Sequence, residues 1–230
     1  MISKIKHHLT RLLGLNPLID RWVRYRDPRK YWQKRGGETY FQEQEAAADR
    51  SLRSDFITGQ IRGLEYESLL EVGCGYGKQL SKLRRGEATL LCGIDFSRPQ
   101  LMKALVYTAE RLNLAEANGQ FLPFQDKSFD AAFSSAVILH NDEAGARRIL
   151  SEMIRVSRRY LVHNEDMDIK FSRYGYDLTR TYQALGLRIV KSAPIPEAPD
   201  PSITQFTIAE LPEAGYRRAP EEIPIQYHAR

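Results

Sequence analysis

Ser68 to Phe96 reads SLLEVGCGYGKQLSKLRRGEATLLCGIDF, and its order is strand, glycine turn, helix, strand, acid. Leu69, Leu70 and Val72 form the short apolar run of a parallel strand buried on both faces. Gly73, Gly75 and Gly77 follow at every second position, as a backbone needs where it turns sharply and comes close to something. Lys78 to Arg85 has helical spacing, with Leu80 and Leu83 on one side and Gly86 as a stop. A second apolar strand, Ala88 to Ile94, delivers Asp95 at its carboxyl end, the edge of an open α/β sheet at which ligands bind.

Spacing narrows the ligand. In the dinucleotide pattern G-x-G-x-x-G the third glycine would fall on Lys78, and the Walker pattern fails because Gln79 follows Lys78. What remains is E-x-G-x-G-x-G, from Glu71 to Gly77, with Asp95 beyond the next strand. This resembles motif I and the acidic loop of class I S-adenosylmethionine (SAM)-dependent methyltransferases. The resemblance implies that Glu71, Gly73, Gly75 and Gly77 lie along the methionine part of the cofactor. It also implies that Asp95 accepts from the two ribose hydroxyls and that Phe96 packs against the adenine.

Downstream, Leu122-Pro123-Phe124 and Ser128-Phe129-Asp130 match a second segment of that family. At its adenine-facing position the sequence has Asn118, followed by Gly119, where the family has Asp. An Asn accepts through one oxygen while also offering a donor. Ala131 to Leu139 reads as the fourth strand, and its exit, Ser134 to Asn141, resembles motif IV, which implies that Ser135 faces the cofactor. His140, just after that strand, and His163, at the end of a fifth strand over Tyr160 to His163, reach the same sheet edge. Either is a candidate general base for a hydroxyl acceptor, because imidazole titrates near neutrality. The run His163-Asn164-Glu165-Asp166 also offers metal-ligand atoms, but consecutive residues on one loop are a weak signal, and no metal is expected. Leu187 to Val190 and Ile203 to Leu211 read as the closing strand pair. The expected fold is therefore α/β, a Rossmann-like seven-stranded, mostly parallel sheet with an antiparallel last strand, plus an N-terminal helical cap. The expected division is a basic helical extension over 1–62, the SAM-binding domain over 63–211 and a solvated tail over 212–230.

Upstream, residues 1–35 hold ten Lys and Arg against Asp20 and Asp27, leaving −3 of the chain's +5 for residues 36–230. Met1 to Leu15 and Leu18 to Arg26 have amphipathic helical spacing. They suit packing on the domain, a homodimer contact or an anionic membrane surface. No nucleic-acid-binding motif accompanies the charge, so nucleic acid is not an expected partner. Gln42 to Ile61 reads as one long helix. Before it, Arg35 and Tyr40 stand where the resemblance places groups that fold over the cofactor and reach its carboxylate. No apolar run approaches a membrane span. Cys74 and Cys92 fall in or beside buried strands, as free cysteines do in a reducing cytoplasm. The expected location is cytoplasmic, with peripheral association at the inner membrane face as a variant.

Together these readings anticipate methyl transfer from SAM to an oxygen of a small molecule, a glycan or a lipid-linked intermediate. The alternatives are docking on a membrane to modify a quinone or lipid-linked acceptor, and a catalytically silent partner protein built on the same fold.

Overall fold

The computed structural model describes residues 27–84, 89–109, 111–170, 173–195, 204–213 and 216–228. The two N-terminal amphipathic segments and the stop at Gly86 lie outside them.

Among the described residues the first elements are the helices α1 (Pro28–Arg35), α2 (Glu38–Glu45) and α3 (Ala48–Arg62). Asp27 starts α1 by accepting the Lys30 amide at 2.9 Å, with Pro28 in the first turn. The single helix expected over Gln42 to Ile61 is two, because the chain becomes extended at Ala47 (φ −93°, ψ 103°). Then come β1 (Ser68–Val72), α4 (Lys78–Leu83), β2 (Leu90–Asp95), α5 (Arg98–Tyr107), β3 (Asn113–Glu116) and β4 (Phe129–Ser135). They are followed by α6 (Glu143–Val156), β5 (Ser157–Asp166), β6 (Ile169–Lys170), β7 (Arg173–Tyr174), α7 (Leu178–Ala184), β8 (Arg188–Pro194) and β9 (Thr204–Glu210). The β6–β7 hairpin has no counterpart in the sequence expectations.

The main sheet has seven strands in the order β3-β2-β1-β4-β5-β9-β8. β9 alone runs antiparallel, hydrogen-bonded to β5 on one side and β8 on the other. All five residues of β1 are buried, and they divide by the two-residue period of a strand. Leu70 and Val72 join the core beneath α6 (Ile149, Leu150, Met153), whereas Leu69 joins the core beneath α3 and α4 (Ile57, Ile61, Leu80, Leu83). Helices on both faces satisfy a sheet that is apolar on both.

The solvated-tail expectation is corrected. Ile223 and Ile225 are buried in the same core cluster as Ile149 and Leu150 of α6, and the Asp177 amide donates to the Gln226 carbonyl at 2.9 Å. Burying two isoleucines stabilises by about 1.5–3 kcal/mol each, enough to hold a segment that lacks regular periodicity.

Candidate active site

A cavity of about 370 Å³ opens at the carboxyl ends of β1, β2, β4 and β5. The strand order reverses between β1 and β4, the crevice at which open α/β sheets take their ligands. Its floor is the turn after β1. The amides of Gly73 and Cys74 both donate to the Ile94 carbonyl, at 2.8 and 2.9 Å, which ties the turn to the end of β2. Gly73 has φ +74°, and a Cβ there would lie 2.4 Å from Val137 Cγ2. The turn and the loop after β4 therefore touch, which only glycine permits.

Asp95 stands at the edge of this floor. One carboxylate oxygen accepts the Gly75 amide at 2.9 Å and the other the Ser97 amide at 2.8 Å. Burial outweighs these bonds and raises its pKa to about 6. Each oxygen keeps a lone pair for a further donor. Glu71 is 2% exposed and lines the same cavity, and its Oε2 has no hydrogen-bond partner among the described residues. Burial and the neighbouring Asp95 charge push its carboxyl well above the usual range. A buried acceptor without a donor is costly, and a cationic or N–H ligand group would relieve it. Asn164, at the end of β5, repeats the pattern: its amide nitrogen donates to Ser135 Oγ at 2.8 Å and its Oδ1 has no partner among the described residues.

The N-terminal helices roof the cavity. Glu45 of α2 accepts from the Tyr76 hydroxyl at 2.9 Å and pairs with Lys78 at 2.8 Å, clamping α2 to the glycine turn. Ser97 Oγ donates to the Trp32 carbonyl at 2.9 Å, and Arg29 pairs with Glu116 at 2.9 Å, fixing α1 above the ends of β2 and β3. Trp32 lies with its ring 5.3 Å from that of Tyr40 and 6.1 Å from that of His140.

Of the residues singled out in the sequence, Tyr40, Glu71, Gly73, Gly75, Asp95, Phe96, Asn118, Gly119, Ser135 and His140 line this cavity. Three do not. Gly77 lies just behind it at φ +80°, opening α4. Arg35 turns away, hydrogen-bonded to Glu43 with its guanidinium 5.4 Å from the Tyr40 ring. His163 is 1% exposed, with Nδ1 2.8 Å from Ser134 Oγ and Nε2 bonded to the Tyr182 hydroxyl. Burial lowers its pKa to about 3, so the ring is neutral, with both nitrogens engaged away from the cavity. The strand period explains the difference: Asn164, one residue on, faces the opposite way.

Residues that the sequence reading passed over also line the cavity, among them Trp32, Arg50, Arg53, Gln100 and Asn164. Arg50 and Arg53 are three apart on α3, the spacing that puts two side chains on one helix face. Arg53 lies 3.9 Å from Asp166 and its Nε has no partner among the described residues.

Residues 70–160 match the family model described as a methyltransferase domain, the span that carries the glycine turn, Asp95 and the motif IV loop. Over those residues the chain is similar to methyltransferase domains. Two fungal relatives are similar in sequence. The O-methyltransferase resE of Aspergillus sclerotiorum is 27% identical over 133 residues, covering 56% of this chain and 48% of the relative. The O-methyltransferase rstn1 of Aspergillus nomiae is 30% identical over 119 residues, covering 50% and 51%. The chain thus spans about half the length of these curated relatives. Among solved structures, phosphoethanolamine N-methyltransferase 1 of Haemonchus contortus, in complex with phosphoethanolamine and S-adenosylhomocysteine, has a TM-score of 0.68. The match covers 90% of this chain and 53% of that one at 13% identity, which is a likeness of fold.

The residues present fit SAM. The cofactor carries a vicinal diol, an α-amino group and a carboxylate, and the cavity offers a half-satisfied carboxylate in Asp95, an orphaned acceptor in Glu71 and an arginine with a spare donor in Arg53. Among the described residues, no helix is long and apolar enough to cross a membrane.

Proposed function

We propose that this protein methylates a hydroxyl of a small molecule, with SAM as donor. The observation that carries the reading is the gathering of Glu71, Gly73, Gly75, Asp95 and His140 around one cavity at the strand ends. In this reading Asp95 holds the ribose hydroxyls, Glu71 takes the α-amino group, and Arg53 rather than Arg35 meets the carboxylate. Phe96, Asn118 and Gly119 border the adenine. SAM, when bound, supplies a methyl group already activated by the sulfonium. The protein's own work is to hold the acceptor oxygen in line and to exclude water beneath α1 and α2. His140 stands at the acceptor side and takes the proton that the hydroxyl loses. The unpaired Asn164 Oδ1 accepts a hydrogen bond from the acceptor and orients it. The likeness to two O-methyltransferases supports oxygen as the acceptor atom, and the paired engagement of His163 favours His140 as base. An intact donor set of this kind disfavours a silent partner protein.

The reading is tested by following S-adenosylhomocysteine release with a panel of phenols and hydroxy acids against a matched panel of amines. Turnover with hydroxyl acceptors, falling at least a hundredfold in His140→Ala, is the expected result. Turnover with amines alone, or an unaffected His140→Ala variant, would overturn it.

A further inference from the structure

Behind the cavity, between β4 and β5, lies a buried polar chain that the proposed reaction does not use. Glu165, 3% exposed, directs its carboxylate at the loop that follows β4. Oε1 accepts the amides of Val137 and Ile138, each at 3.2 Å, and Oε2 accepts the amide of Leu139 at 3.2 Å. Oε1 also accepts from the Ser134 hydroxyl at 3.2 Å. These three amides open the single helical turn Ile138–His140, so one side chain satisfies donors that the turn itself leaves unpaired. Elsewhere the loop is tied by the Ala136 amide to the Asn164 carbonyl and by Asn141 Nδ2 to the Val137 carbonyl, each at 2.8 Å, so Glu165 is the side chain that takes up the amides of Val137, Ile138 and Leu139. Ala136 within the loop sits at φ +55°, a strained backbone for a residue with a Cβ.

The donors run in one direction. Ser134 spends its only proton on Glu165, so His163 Nδ1–H donates to Ser134 Oγ, and the Tyr182 hydroxyl donates to His163 Nε2. Tyr182 comes from α7 and is fully buried. The chain therefore links α7, β5 and β4 to the loop without touching the cavity. The loop's two ends do touch it. Val137 packs against Gly73 of the glycine turn, and His140 lies beside Trp32.

We propose that Glu165 is a positioning residue: with Ser134, His163 and Tyr182 behind it, its carboxylate fixes the loop that sets Val137 against the cofactor turn and His140 at the acceptor side. The inference rests on the reading of that loop as the acceptor side of a methyltransferase site. Glu165→Gln keeps the shape but turns an amide N–H towards backbone N–H groups, and Ser134→Ala removes one bond of the set with little change in volume.

The test is amide exchange by NMR on the full chain with S-adenosylhomocysteine, together with calorimetry of its binding. In Glu165→Gln the amides of Val137, Ile138 and Leu139 should exchange at least tenfold faster, while those of Leu70 and Ile94 keep their rates. The His140 ring resonances should move and S-adenosylhomocysteine should bind at least threefold more weakly. Ser134→Ala should show the same pattern to a smaller degree, and carries the test if Glu165→Gln fails to fold. Unchanged loop amides and His140 resonances would overturn the proposal, as would exchange that rises equally in the loop and the sheet. Failure of the wild type to bind S-adenosylhomocysteine would instead remove the methyltransferase reading, and the exchange rates would still judge the brace.

Discussion

Alanine at three glycines should have three different effects on stability. Gly73 has φ +74°, and its added Cβ would lie 2.4 Å from Val137 Cγ2. The left-handed backbone costs about 1–2 kcal/mol for a non-glycine residue, and forcing a methyl into a filled space costs about 1–3 kcal/mol more. Gly73→Ala should therefore destabilise by about 2–5 kcal/mol. Gly75 has φ +54°, but its Cβ would meet nothing nearer than Gln100 Nε2 at 3.8 Å. There only the backbone cost remains, partly offset by the alanine's smaller loss of chain freedom, for a net of about 1 kcal/mol. Gly59 lies within α3 with nothing inside 4 Å, and its replacement should stabilise by about 0.5–1 kcal/mol. Urea unfolding followed by far-ultraviolet circular dichroism gives all three values. A Gly73→Ala variant no less stable than Gly75→Ala would refute the close approach of turn and loop on which the site is built.

Asp95 offers a test by pH. An acid whose folded-state pKa exceeds its unfolded value adds most stability in acid, and that contribution is lost as pH rises from about 3.8 to about 6. The full difference is about 3 kcal/mol, so Asp95→Asn should gain up to that much on the wild type between pH 4 and 7; a stability gap that does not change with pH would contradict the burial argument. Calorimetry at the cofactor site should find S-adenosylhomocysteine binding at least tenfold weaker in Arg53→Ala and within twofold of wild type in Arg35→Ala, and the reverse order would restore Arg35 as the carboxylate ligand. Ile223→Ala should cost about 2–4 kcal/mol of unfolding free energy, whereas a cost below 0.5 kcal/mol, of the order seen at solvated surface sites, would return this segment to the status of a tail.

The sheet and the glycine turn that floors the cavity were legible because their signals are local. Three alternating glycines between two apolar strands leave few ways to fold, and Asp95 follows the second strand directly. The positions that misled depend on packing that no short window contains. His163 is removed from the cavity by strand alternation and by Tyr182, which arrives 19 positions later from α7. Arg35 is taken up by Glu43, while Arg53 reaches the cavity because α3 begins afresh after Ala47. Ile223 and Ile225 flank Pro224, with Pro220 three residues before Ile223, and an Ile-Pro-Ile run is too short, and too interrupted by proline, to read as a strand or a helix, so the sequence did not announce that they join the core. Asn164 and Glu165 read as stray metal-ligand types until β4 and β5 set them on opposite faces, one towards the cavity and one towards the loop.

The most direct measurement is calorimetric titration of the purified chain with S-adenosylhomocysteine at pH 7.5, beside Asp95→Ala. The expected result is one site with micromolar affinity in the wild type and a loss of at least tenfold in the variant. No binding by the wild type, or equal binding by both, would contradict the assignment of this cavity to SAM.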